Sequence, residues 1–488
     1  MKKIKNIIII TLIISLSLAL SVQADAPDFS REYFKKLADK NNRVPHINTP
    51  DYQVLRLENG MTFYLAEDKS LPVVELRGYI EGGKIDENKK NTGITDLMTE
   101  LMLLKTENYN QRQLTHFKEI NALSLNISAS LDRMQLSGNS LKTHSKELLS
   151  LITEVLRKPN FKGSHFNRKL REFKEHYKQQ FYNGSSLLDM HFFKNLYGDH
   201  PYAYNNNYNL ILNFLNGVEP AGIRKFYNKT VNPEDIVIAL SGDININKVK
   251  EKLKNNFSDW KNQNVEVDRD YVWVDEEIHN KVIIVNKEDA TQANMRMGYN
   301  FYRSKYSKRV PFLMGNRIFG GGSFNSRLME NLRSDKGYVY NVNASTSYND
   351  YGGAYYINLS LDPQKALSGI KAVKNEIQKI KRAEEPLTKE ELADNINLYN
   401  AVFPRKYKHK IDILDELIYQ KEIYNESDDY INDFITEYNG LKVEDVQKIF
   451  AEELYPDSIF TVIVGPKEKI LPQFKDSNLD VEVIEIAK

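Results

Sequence analysis

Two pairs of glycines, spaced alike, constrain the fold of this 488-residue chain more than any other feature. Residues 73–80 (VVELRGYI) and 293–300 (ANMRMGYN) both read as strands carrying a Gly-Tyr step, Gly78-Tyr79 and Gly298-Tyr299. Residues 236–243 (IVIALSGD) and 459–465 (IFTVIVG) both read as buried strands closing on a glycine, Gly242 and Gly465. The first pair is offset by 220 residues and the second by 223, while the spans within the halves are 164 and 167. Agreement in both offset and span points to a duplication, with two halves of similar length and one topology.

Within each half the pattern runs from strands to helices and back to a strand. Residues 52–57 and 62–66 flank Asn59-Gly60, a tight hairpin signal. Apolar side chains recur at helical spacing over 93–104, 145–157 and 164–182, and residues 353–361 and 478–486 alternate like half-buried strands. Strands grouped apart from helices predict an α+β fold, each half an antiparallel-rich sheet with packed helices. The expected division is an N-terminal domain over 51–262, a charged linker over 263–280 and a C-terminal domain over 281–488.

The N-terminus reads as an export signal. Lys2, Lys3 and Lys5 precede an uncharged apolar run over 7–22, and Val22-Gln23-Ala24 offers a cleavage site. Residues 1–24 are therefore expected to be a signal peptide, with an uncleaved anchor as the alternative. Residues 25–50, polar and carrying Pro27, Pro45 and Pro50, are expected to be an arm. The expected location is the periplasm, with no membrane span after signal removal. Lys plus Arg number 67 against 66 Asp plus Glu, which gives no reason to expect a nucleic-acid partner. The chain has no cysteine, which excludes disulfides, thiolate zinc sites, a cysteine nucleophile and a lipoprotein anchor.

Several segments resemble the pitrilysin/insulinase family of zinc metallopeptidases, which includes the mitochondrial processing peptidase subunits and bacterial periplasmic relatives. Residues 59–68 (NGMTFYLAED) resemble its opening hairpin, and 81–83 (EGG) its approach to the active-site helix. Residues 196–202 (LYGDHPY) and 319–340 (FGGGSFNSRLMENLRSDKGYVY) match its more specific signatures. The resemblance spans roughly residues 50–470 and implies two homologous α+β halves, with the family's chamber completed by a second chain.

A peptidase of this family needs His-x-x-Glu-His on a helix. The two His hold zinc, the Glu activates its water, and a carboxylate from a later helix completes the ligands. The matching segment is Gly93-Ile94-Thr95-Asp96-Leu97-Met98-Thr99-Glu100. Asp96 and Glu100 stand where the two His belong, and Thr99 where the base belongs. Threonine cannot take a proton from water at neutral pH. None of the nine His completes the motif in either direction. The third-ligand position falls among Glu172, Glu175 and His176, with His176 the nearest match and a solvated helix face the plainer reading. Asp96 and Glu100, at i and i+4, could share a hard cation, or be a polar remnant.

The second-half motif is better kept. Family peptidases hold substrate with an Arg and a Tyr, and by motif match these are Arg333 and Tyr340, with Tyr338 the alternative. A guanidinium can bind a peptide carbonyl or carboxylate, and a phenol adds one directed hydrogen bond. A structural ion pair and a core tyrosine are the plainer readings. Gly320-Gly321-Gly322 reads as a flexible or tight-turning loop, without the Gly-Lys-Ser/Thr of a phosphate cradle. In heterodimeric members one subunit carries zinc and the other does not, and in bacterial pairs the zinc-free subunit can contribute the Arg–Tyr pair. The resemblance thus implies a non-catalytic subunit, inactive alone and without a cofactor of its own. Zinc is expected on a homologous partner that cleaves peptides. The alternatives are a stand-alone peptide-binding or scaffold protein and a peptidase with an atypical metal site.

Overall fold

The glycine spacing reflects one hydrogen-bonded ladder built twice. The computed structural model describes residues 43–263, 269, 280–322 and 325–486. The expected signal peptide, the arm up to residue 42, and linker residues 264–279 other than Arg269 lie outside the described residues. The first sheet has the order β1-β2-β6-β3-β5-β4. Its strands are β1 (Gln53–Arg56), β2 (Thr62–Glu67), β3 (Val73–Glu81), β4 (Ser124–Ala129), β5 (Arg133–Leu141) and β6 (Ile236–Gly242). The second has the order β12-β7-β11-β8-β10-β9. Its strands are β7 (Lys281–Asn286), β8 (Ala293–Phe301), β9 (Val339–Tyr348), β10 (Gly353–Leu361), β11 (Phe460–Gly465) and β12 (Asp480–Glu485).

Position for position, β2, β6, β3, β5 and β4 correspond to β7, β11, β8, β10 and β9. Gly78 of β3 lies opposite Ile238 of β6, and Gly298 of β8 lies opposite Phe460 of β11. The halves differ at one edge. The first is completed by its own N-terminal strand, antiparallel to β2, and the second by the C-terminal β12, parallel to β7. The sheets are mixed and antiparallel-rich, which is the expected α+β class.

Strands β6 and β11 are buried along their whole length, so both faces of each sheet must be covered. One face takes helices of the same half; Ser145–Arg157, for example, buries Leu148, Leu149, Leu151, Ile152, Val155 and Leu156. The other face takes a helix from the opposite half. Four helices matter below: α1 (Ile94–Met102), α2 (Ser164–Gln180), α3 (Gly184–Tyr197) and α4 (Lys410–Leu417). Helix α3 of the first half packs on β8 and β11 of the second. Phe192 stacks on Phe460 with ring centroids 4.8 Å apart. A Cβ at Gly298 would sit 2.3 Å from the Tyr355 carbonyl and 2.9 Å from the Phe192 ring, which is why this position takes glycine. Reciprocally, α4 packs on β2, β3 and β6, and the Tyr79 hydroxyl donates to Asp415 Oδ1 at 2.9 Å.

The exchange accounts for an oddity of α3. Leu187, Leu188, Met190, His191, Phe192, Leu196 and Tyr197 are all buried, so the helix has no wide polar face. Burying one such Phe contributes about 1.5–3 kcal/mol, an upper figure because the unfolded chain is itself partly collapsed. Among the described residues no helix is long and apolar enough to cross a membrane.

The LYGDHPY signature ends α3 and serves the joint between halves. The Tyr202 hydroxyl donates to Asp132 and accepts the Tyr351 N–H at 3.2 Å. Asp132 Oδ2 also accepts the Asp350 N–H at 3.1 Å, and the neighbouring Arg133 pairs with the Asp350 carboxylate. Asp350 further accepts hydroxyls from Tyr424 (2.9 Å) and Ser304 (3.2 Å). The Arg133 guanidinium lies 5.8 and 5.5 Å from the Tyr419 and Tyr424 ring centres.

Candidate functional site

The chain leaves β3 through Gly82-Gly83, makes a short helical turn (Lys84–Asp86) and enters α1 at Ile94. Gly93, in the left-handed region at φ +93°, sets its first turn. The orphan amides of that turn find a buried partner: Glu87 accepts the Gly93 N–H at 2.8 Å and the Thr95 N–H at 3.0 Å. Burial pushes the Glu87 carboxyl up to about 7, and the charge of Asp96 adds to the rise, while the two amides oppose it. The neighbouring Asp86 has a buried side chain and pairs with Arg269 at 2.8 Å, which ties Arg269 to the same loop.

A pH effect follows. The folded value lies above the ordinary value of about 4.3, so the native state holds a proton that the unfolded state has released. Stability from this group is greatest below about pH 4 and falls as pH rises to about 7, by on the order of 3 kcal/mol, then levels. Glu87→Gln keeps an acceptor and removes the titration. Urea midpoints at pH 5 and pH 7.5 are expected to fall more steeply with pH in the unaltered chain than in Glu87→Gln. Equal slopes would refute the assignment.

Asp96 and Glu100 do lie one helical turn apart on α1, and each already has a cation. Lys84 Nζ is 3.0 Å from Asp96 Oδ2, and Lys169 Nζ of α2 is 2.9 Å from Glu100 Oε2. Lys169 also reaches Glu172 Oε2 at 2.8 Å, so one ammonium bridges the two helices. Thr99 is buried, and its hydroxyl donates back to the Asp96 carbonyl at 3.1 Å. The residue of α2 that meets Asp96 is Tyr177, whose hydroxyl donates to Oδ2 at 3.3 Å. His176 is exposed, with its ring against the edge of Tyr177, and Glu175 pairs with Lys178.

The donor set does not fit the zinc that active members of the resembled family carry. Among the described residues no imidazole enters the corner, the base position is a threonine, and both carboxylates are paired to lysine. Among the described residues, no group of three or more His, Cys, Asp or Glu converges as a metal would require. Lys84, Lys169, Tyr177 and Glu87 are the residues of this corner that motif matching missed. Helical spacing carried a signal for two of them. Phe166, Leu170, Phe173 and Tyr177 form the inward stripe of α2, which aims Tyr177 at α1, places Lys169 beside the stripe and leaves His176 off it.

Arg333 and Tyr340 lie in the second half. Arg333 is exposed on a short, wide helical segment (Glu330–Asp335). Tyr340 is 59% exposed near the start of β9, the edge strand of its sheet. Tyr338 is partly covered, with Lys365 5.6 Å from its ring centre. The glycine run differs from the expected loop. Gly320 and Gly321 close a helical segment (Arg317–Gly321) packed on β9. A Cβ at Gly320 would lie 2.7 Å from Leu328 and 2.9 Å from Ala344, so close packing is what selects glycine there.

The sequence matches two family descriptions: "Insulinase (Peptidase family M16)" over residues 63–206 and "Peptidase M16 inactive domain" over 218–399. It is 22% identical to the "non-peptidase homolog YmxG" of Helicobacter pylori, across 67% of this chain and 74% of that one. It is 21% identical to the "zinc protease PqqE" of the same organism, across 85% and 92%. Among solved structures, a peptidase M16 inactive domain from Pseudomonas fluorescens superposes with a TM-score of 0.74 at 20% identity, covering 85% of this chain and 98% of that one.

Proposed function

The chain belongs to the insulinase family, peptidase family M16, and we propose that within it this chain is the non-catalytic subunit of a heterodimeric zinc peptidase. It supplies Arg333 and Tyr340 to a chamber shared with a zinc-bearing homologue, and the homologue cleaves the peptide. The observation that carries the reading is the contrast between the two halves. In the first, the positions of zinc ligands and base are Asp96, Thr99 and Glu100, both carboxylates paired to lysine. In the second, a guanidinium and a phenol stand exposed where a peptide can reach them. The match to a relative named as a non-peptidase homologue supports it further.

In this account the chain is exported to the periplasm and carries no cofactor of its own. Its role is to bind and orient a peptide: Arg333 engages a carbonyl or terminal carboxylate, and Tyr340 donates one hydrogen bond. No bond-breaking step is assigned to its residues. The purified chain alone is expected to leave unfolded peptides intact, and mixing with its zinc-bearing homologue is expected to give cleavage above that of the homologue alone. Cleavage by this chain in the presence of a chelator-treated homologue would overturn the reading.

A further inference from the structure

Losing the histidines is only part of why this corner would not take zinc. We infer that Lys84 and Lys169 keep a metal ion out, by supplying from within the chain the positive charge that a metal would bring. The inference rests on the reading of the chain as the zinc-free subunit.

The lone pairs come first. Asp96 Oδ2 receives both the Lys84 ammonium at 3.0 Å and the Tyr177 hydroxyl at 3.3 Å. Glu100 Oε2 receives the Lys169 ammonium at 2.9 Å. A zinc ion bound to either oxygen would sit at about 2.0–2.2 Å from it, and hence within about 5 Å of an ammonium nitrogen. The lysine side chains are 18% and 17% exposed, against 24% for Asp96 and 48% for Glu100, so water screens that repulsion less at Asp96 than at Glu100.

The mechanical role of the metal is filled as well. In the zinc-bearing pattern the ion ties the motif helix to a carboxylate of the later helix. Here Lys169 ties α1 to α2 through Glu100 and Glu172, and the Tyr177 hydroxyl makes a second tie through Asp96. The helix pair is held without an ion, so restoring the ligands alone would set the new site against two resident cations.

The test compares two engineered full-length chains. One carries Asp96→His, Thr99→Glu, Glu100→His and Tyr177→Glu; the other adds Lys84→Ala and Lys169→Ala. Zinc affinity is read by competition with a chromophoric chelator, and occupancy by metal analysis after desalting. Removing the lysines is expected to tighten zinc binding by about tenfold or more and bring occupancy to one per chain. Equal binding by the two chains, or binding by neither, overturns the inference. Should these chains fail to fold, both are remade with Tyr177 kept. The melting temperature of the chain carrying Lys84→Ala and Lys169→Ala is then expected to rise more with added zinc than that of the chain that keeps the lysines; an equal rise, or none in either, overturns the inference. Stoichiometric zinc in the unaltered chain would overturn the zinc-free reading itself.

Discussion

Arg333→Ala is expected to lower the peptidase activity of the reconstituted pair about 100-fold, the scale for losing one charged donor aimed at a reacting substrate. The side chain is exposed on a surface segment, so the variant should fold and assemble as before. A guanidinium offers a planar fork of donors that lysine lacks, so Arg333→Lys should recover only part of the loss. Tyr340→Phe removes one hydroxyl from a 59%-exposed ring and should cost about tenfold, roughly 1.4 kcal/mol. Steady-state kinetics on the mixed subunits, with assembly checked by size-exclusion chromatography, measures both. Unchanged activity in Arg333→Ala would remove Arg333 from the substrate site.

The largest effect on stability is expected at the joint between halves. Arg133→Ala leaves the Asp350 carboxylate and its neighbour Asp132 in a half-closed site without their cation. Burial already pushes the Asp132 carboxyl up from its ordinary value. Breaking a buried pair by removing one partner costs about 3–5 kcal/mol. The urea midpoint should fall accordingly, and limited proteolysis should begin to separate the halves. Replacing both partners, Arg133→Met with Asp350→Leu, should be milder than the single change, because the Asp350 carboxylate is then removed with its cation and Asp132 keeps its hydrogen bonds from Tyr202 and the residue-350 N–H. A single variant with the native midpoint would show that the exchanged helices α3 and α4 hold the halves together unaided.

Much of the fold was legible because repetition is written in spacing. Gly78 and Gly298 mark equivalent rungs of two ladders, and close approach of neighbouring backbone enforces both. The exchange of α3 and α4 was not legible. An apolar helix shows that it is buried, and its sequence does not say against which sheet. The signature 196–202 reads as a motif in one dimension; in three, Tyr202 is a pin between Asp132 and Tyr351.

At the candidate site, the missing zinc ligands could be read directly from Asp96, Thr99 and Glu100. Their counter-ions could not, because Lys84 and Lys169 come from a loop before α1 and from a helix some seventy residues later. Only folding brings them to the carboxylates. Position in the motif points to His176, while the helical phase set by Phe166, Phe173 and Tyr177 turns Tyr177 toward Asp96 and His176 toward solvent.

The most direct test of the central claim is metal analysis with native mass spectrometry on the complex recovered through a tag on this chain from its own envelope extract. A pair of homologous chains with one zinc, carried by the other subunit after the two are separated, is the expected result. A lone chain without peptidase activity, or zinc retained by this chain, would contradict it.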